Sequence, residues 1–181
     1  LPITLEPDAA EARRWRRMRR TFLAELASRT PVELDLWPSQ IDATRRALRS
    51  DGSLVVSLPT SAGKTRVAEI AILRTLAQGK RVVFVTPLRA LSAQSEAALS
   101  RTFNPLGISV TSLYGSIGAT ASDEEAIGLE DIVVSTPEKL DFALRSSPEL
   151  IDDVGLVVLD EGHMIGPGER EVRYEAQIQR L

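Results

Sequence analysis

Four stretches of the chain are apolar almost without interruption: residues 53–58 (SLVVSL), 81–86 (RVVFVT), 131–135 (DIVVS) and 154–160 (VGLVVLD), with a weaker fifth at 108–114. A strand that is apolar on both faces needs cover on both faces, which is the environment of a parallel sheet between two layers of helices. Between these runs the period changes. Residues 65–78 (TRVAEIAILRTLAQ) place Val67, Ile70, Ala71 and Leu73 near three- and four-residue steps before Gly79 offers a stop. Similar helices are expected over 88–103 and 138–145. Strands and helices alternate as in βαβ units, so the expected fold is α/β, a doubly wound and mainly parallel sheet with helices on both faces. Residues 115–128 (GSIGATASDEEAIG) are polar enough for a mobile loop or a short surface helix.

One segment stands apart from this alternation. Residues 11–29 carry six arginines in RRWRRMRR (13–20), while Trp15, Met18, Phe22, Leu23 and Leu26 fall along one helical face. The pattern predicts an amphipathic basic helix. Its arginines suit either a nucleic-acid or partner contact, or a docking helix whose charged face meets water, and charge runs favour the second. The expected organisation is therefore this helix and a lead-in over 1–35, then a single α/β domain over 36–181.

Composition narrows the possibilities. At 181 residues with 43% hydrophobic and 26% charged positions, the chain has the balance of a globular domain. It contains no cysteine and one histidine, His163, so neither a disulfide framework nor a Cys/His zinc site can be assembled. No apolar run approaches the length of a membrane span and no signal-peptide core is visible, which points to a cytoplasmic protein without a membrane partner. A net charge of −3 argues against wholesale electrostatic wrapping of nucleic acid, so any such contact should be local.

The candidate chemistry sits at the ends of the expected strands. Residues 59–65 (PTSAGKT) follow the first apolar run and open a helix, the setting of a phosphate-binding loop. Thr60, Ser61, Ala62 and Gly63 supply inward-pointing amides, Gly63 has no side chain to obstruct a phosphate, and the helix start adds partial positive charge. Lys64 is placed for the β- and γ-phosphates, and the Thr65 hydroxyl for Mg²⁺. The glycine that usually opens such a loop is replaced by Leu58, which counts against kinase- and GTPase-type loops. Downstream, the last apolar run ends in Asp160-Glu161-Gly162-His163. Carboxylates at the carboxyl end of a parallel strand belong beside the phosphate loop in a doubly wound sheet. Asp160 is the expected Mg²⁺ ligand and Glu161 the group that orients and deprotonates the attacking water.

These residues resemble the DExH-box helicases of superfamily 2, with 59–65 as motif I and 160–163 as motif II. Further segments follow in the family's order: Thr86-Pro87-Leu88-Arg89 is similar to motif Ia, Gly115-Ser116 holds the place of motif Ib, and Thr136-Pro137-Glu138-Lys139 is similar to the next strand-binding motif. Trp37-Pro38-Ser39-Gln40 resembles the Q motif, in which the glutamine reads the adenine edge. The wording PTSAGKT, TPEKLD and DEGHMIG is most similar to the branch of superkiller-type RNA helicases and DNA-repair helicases. The resemblance covers about residues 37–165 and implies a RecA-like domain that binds ATP and Mg²⁺. It implies nucleic-acid contacts at Thr86, Pro87, Arg89, Gly115, Ser116, Thr136, Pro137 and Lys139, and a role for His163 in coupling to a second domain. DNA is favoured over RNA on the subfamily likeness alone.

The resemblance also implies an engine of two such domains. The chain opens without methionine, ends in a helix-prone stretch, and lacks the Ser-Ala-Thr that should follow motif II. Both ends are therefore expected to be cuts through a longer polypeptide, and this monomeric piece is expected to bind nucleotide with little turnover. A strand-separating helicase, a duplex translocase and a catalytically silent binding module remain as alternatives. The intact Lys64, Thr65, Asp160 and Glu161 weigh against the last.

Overall fold

A computed structural model describes residues 9–49, 52–58, 63–113, 129–146 and 148–162. The chain divides into two compact units, Leu1–Gly79 and Lys80–Leu181.

The regular elements of the first unit, among the described residues, are three helices: α1 (Ala9–Ser28), α2 (Pro38–Arg49) and α3 (Lys64–Ala77). In α1, Trp15, Met18, Phe22 and Leu26 are buried, spaced by three or four residues as one face of a helix requires. Leu23, expected on that face, is instead 46% exposed, because it lies one residue past Phe22 and is rotated off the stripe. Both α1 and α2 pack on α3, whose Ile72, Leu73 and Ala77 are almost fully buried. Helix α3 ends at Gly79, which adopts a left-handed φ of 75° while its N–H donates to Leu76 O at 3.0 Å. That conformation closes the helix at little cost only for glycine. Arg14 of α1 donates to Ala77 O at 3.5 Å in the same last turn, where a cation also complements the helix dipole.

Residues 53–58, expected to be the first strand, form no strand here. Val55 is 92% exposed. A strand exists only through its ladder with a neighbour, and the regular elements described in this unit are all helices.

The second unit carries the sheet. Its strands are β1 (Arg81–Val85), β2 (Val110–Ser112), β3 (Ile132–Ser135) and β4 (Val154–Leu159), and its helices α4 (Arg89–Phe103) and α5 (Pro137–Ser146). The order is β2-β3-β1-β4, parallel at every pairing. This confirms the α/β class, and each of these strands lies within an apolar run read from the sequence. Val83 and Val133 are paired in register and belong to the face on which Leu140 and Ala143 of α5 pack. Ser112, paired with Val134, points to the other face and donates to Glu96 of α4 at 2.7 Å. The two helices therefore cover opposite faces, which explains why β1 and β3 are buried along nearly their whole length. The register of β2 on β3 is locked by Asp131, whose Oδ2 accepts from Ser109 N at 2.9 Å and Ser109 Oγ at 3.1 Å. No described helix is long and apolar enough to cross a membrane.

Candidate functional site

In the first unit the candidate chemistry gathers where α3 begins. Gly63 is the N-cap, with φ 67° and ψ 46°, and no side chain caps the helix. The first ladder bond is donated by Arg66 N–H to Gly63 O at 3.1 Å, so the amides of Lys64 and Thr65 precede the ladder and face away from it. An uncapped start to a 14-residue helix concentrates partial positive charge, with the Lys64 cation beside it. Thr65 is exposed and Lys64 half-buried. Glycine is favoured at position 63 because the backbone is left-handed, and a Cβ there would also displace the Gln40 Nε2 amide. A close cradle of backbone with open amides, a cation and a hydroxyl fits the polyphosphate and Mg²⁺ chemistry expected of these residues. Thr60, Ser61 and Ala62 lie outside the described residues.

Gln40 is 4% exposed and joins two elements. Its Oε1 accepts from Trp37 N at 2.8 Å, which satisfies an orphan amide at the start of α2, and its Nε2 donates to Gly63 O at 2.9 Å. The immediate work of this side chain is to hold the start of α2 to the residue before Lys64. One N–H and one oxygen lone pair are left for any contact with adenine.

The residue after Thr65 carries no motif signal in the sequence and is central here. Arg66 Nη2 meets Glu33 Oε2 at 2.6 Å and Arg66 Nη1 meets Glu69 Oε2 at 2.6 Å. Its Cζ lies 5.9 Å from the centroid of the Phe22 ring in α1, within cation–π range. Arg29 Nη1 reaches Glu33 Oε2 at 2.8 Å and Arg29 Nε reaches Glu25 Oε1 at 3.5 Å. The hydrogen bond from Arg29, ahead of its charge and of the contributions of Arg66, holds the Glu33 carboxyl below its ordinary range against the opposing effect of burial. The first turn of α3 is thus clamped to α1 by paired charges and a ring. The local pairs, Arg66 with Glu69 and Arg29 with Glu25 and Glu33, are spaced three or four residues apart and could have been paired from the sequence; Glu33 and Phe22 reach Arg66 through tertiary packing.

In the second unit the candidate residues occupy the carboxyl ends of the strands. Asp160 N donates to Val85 O at 2.9 Å, extending the β4 ladder on β1, and Asp160 Oδ1 accepts from Glu161 N at 3.0 Å. Glu161 has φ 53°, a left-handed conformation that costs a non-glycine residue about 1–2 kcal/mol. Both side chains are half-buried. His163 lies outside the described residues.

At the end of β1, Thr86 is fully buried. Its hydroxyl pairs with Ser92 Oγ at 2.7 Å and contacts Leu88 O at 3.4 Å, internal contacts that fix the turn into α4. Pro87 is half-buried. Helix α4 starts at an extended Leu88 with no side-chain cap, and its ladder begins with Leu91 and Ser92 donating to Leu88 O. The amides of Arg89 and Ala90 precede that ladder, and the Arg89 side chain is exposed. The segment after β3 departs further from expectation. Thr136 and Lys139 are each 6% exposed and Pro137 is buried at the start of α5. Lys139 is buried in the first turn of α5 along with Pro137 and Leu140. Of the described candidates for strand contact, Arg89 alone presents an exposed cation. Gly115 and Ser116 lie outside the described residues.

One unit carries an uncapped helix start with Gly63, Lys64 and Thr65 and the other a parallel sheet with a strand ending in Asp160-Glu161, the elements of a P-loop NTPase-type domain. Residues 37–181 match the family model described as DEAD/DEAH box helicase, and the chain belongs to that family. It is 34% identical over 160 residues to the Hachiman protein HamB of Bacillus cereus, covering 87% of this chain and 14% of that protein. It is 36% identical over 142 residues to the ATP-dependent DNA helicase Hel308 of Thermococcus kodakarensis, covering 78% and 12%. The Hel308 of Methanocella arvoryzae is 32% identical over 149 residues, covering 81% and 20%. Among solved structures, the DUF1998 helicase MrfA shares the fold with a TM-score of 0.73 at 22% identity, over 89% of this chain and 26% of that one. The chain thus spans a fifth or less of the length of these curated relatives.

Proposed function

We propose that this chain is the first RecA-like domain, over residues 36–181, of an ATP-driven motor that moves on or unwinds nucleic acid, with 1–35 as an N-terminal helix and lead-in. The observation that carries the proposal is the start of α3, where a left-handed glycine, two amides outside the ladder, Lys64 and Thr65 occupy one uncapped helix terminus. The amides from residues 60–65 and Lys64 hold the β- and γ-phosphates of ATP, Gln40 contributes its remaining N–H to the adenine edge, and Thr65 and Asp160 hold Mg²⁺. Mg²⁺ held by Thr65 and Asp160 would supply charge to offset that of the phosphate oxygens. Glu161 orients the attacking water and takes its proton, and its left-handed backbone is the kind of strain that persists at sites of chemistry. His163 couples this site to a second RecA-like domain of the full-length protein.

Strand contact is carried at Arg89 and the open amides of α4, a pairing of guanidinium and helix start that suits a phosphodiester and reads no base. Thr86, Thr136, Pro137 and Lys139 support the turns behind these contacts, and Gly115 and Ser116 add to the strand path. DNA is the favoured substrate, because the Hel308 relatives are described as DNA helicases.

The test is the ATPase of the full-length protein with and without single-stranded DNA. Stimulation by DNA is expected, with Lys64→Ala lowering turnover by about 10²–10³, the cost of removing one preorganised electrostatic contact. Turnover that ignores nucleic acid, or survives loss of Lys64, would refute the reading.

A further inference from the structure

Helix α1 has two faces with opposite properties, and only one is explained by the fold. Trp15, Met18, Phe22 and Leu26 fasten it to α3, and Phe22 sits under Arg66 next to the phosphate-loop residues. On the opposite side, Arg13, Arg16, Arg17 and Arg20 recur at steps of three, one and three residues, which aligns them in one stripe. All four are exposed, and among the described residues no carboxylate pairs with any of them. The acidic residues of the helix, Glu11 and Glu25, lie outside the stripe. Four guanidiniums thus stand along about 10 Å of helix in a chain whose net charge is −3. Mutual repulsion makes such a row unfavourable until an anion lies on it.

We propose that this stripe is a second contact for the phosphodiester backbone of the nucleic-acid strand, separate from Arg89. The proposal rests on the nucleic-acid reading of the domain. The line charge favours nucleic acid over an acidic protein. One charge every 3–4 Å or so along α1 is close to the roughly 3.4 Å per phosphate along one strand of a duplex, a regularity that folded acidic surfaces do not sustain. Arginine, with its planar fork, matches phosphate oxygens in pairs. Because the buried face of the same helix is held on α3, the stripe is presented on a rigid element, and little ordering entropy is lost when a strand binds.

The experiment compares the full-length protein with a variant carrying Arg13→Gln, Arg16→Gln, Arg17→Gln and Arg20→Gln, and with the corresponding four-fold Arg→Lys variant. Binding of a fluorescent oligothymidylate is followed by anisotropy across a salt series. The glutamine variant should bind more weakly, with the slope of log K against log salt reduced by about 0.7 for each phosphate that is no longer neutralised, while the lysine variant keeps most of the slope. Thermal melts and ATPase without nucleic acid should match wild type in both, because the stripe is outside the core and outside the ATP-binding residues. Unchanged affinity and slope in the glutamine variant, with wild type binding normally, overturns the proposal. Unchanged oligonucleotide binding with loss of binding to polyglutamate overturns it in favour of an acidic polypeptide. Failure of the wild-type protein to bind the oligonucleotide at all instead refutes the broader nucleic-acid reading, and this proposal with it.

Discussion

The starts of α3 and α4 look alike and are built differently. Each is an uncapped helix terminus followed by a cation, Lys64 in one and Arg89 in the other. The start of α3 is held by charges: Arg66 between Glu33 and Glu69, Arg29 behind Glu33, and the Phe22 ring below. The start of α4 is held by neutral groups, the Thr86 and Ser92 hydroxyls with the Leu88 carbonyl. A charged clamp makes strong directional contacts but leaves a costly buried charge when one member is removed. A hydroxyl clamp is weaker and tolerates more. The stronger one stands where a triphosphate would impose the larger charge, and the weaker where a single phosphodiester would rest.

That contrast can be broken in order of expected effect. Arg66→Ala should destabilise the protein by about 3–5 kcal/mol, because Glu69 is then a buried carboxylate deprived of the guanidinium that offsets its charge; a denaturant melt measures it, and a loss below about 1 kcal/mol would show that the clamp contributes little more than an exposed ion pair. Thr86→Val should cost about 1–3 kcal/mol by taking away the hydroxyl that Ser92 meets in the interior, so the same melt ranks the two clamps directly. Arg89→Ala should leave stability unchanged and lower the salt slope of single-strand binding by about 0.7, whereas a change in ATP affinity of equal size would contradict its assignment to the strand. Among the three substitutions that change stability, Glu33→Gln gives the smallest effect, with a pH signature. The folded carboxyl titrates below its ordinary value of 4.5, so its contribution is fully present above that pH and fades as pH falls through the lower folded value. The stability gap between wild type and Glu33→Gln should therefore be constant near neutrality and close in acid; a gap that widens in acid would reverse the sign.

The second unit was more legible in the sequence than the first. Strands β1, β3 and β4 and helices α4 and α5 fall within a residue or two of the positions expected from their patterns, because a buried parallel strand must be apolar along its length and a packed helix must repeat at three and four. The same logic failed for 53–58, where an apolar run has no strand beside it in its own unit. Motif residues were legible as a set while their individual roles were less so. Gly63 adopts the left-handed backbone that favours glycine, yet Thr86 and Lys139, both expected at a nucleic-acid contact, are buried residues. Burial depends on which way a helix is rolled against a sheet, and a four-residue motif does not encode that.

What the sequence by itself determined was the class of protein and its phosphate chemistry, since the order of apolar runs dictates a parallel sheet and Gly-Lys-Thr at a helix start serves few purposes other than holding phosphate. Tertiary structure alone decided how Gln40, Glu33 and Phe22 converge on the start of α3 and which arginines of α1 stand in water. Those contacts join residues tens of positions apart, and only the packing of whole helices brings them within hydrogen-bonding distance.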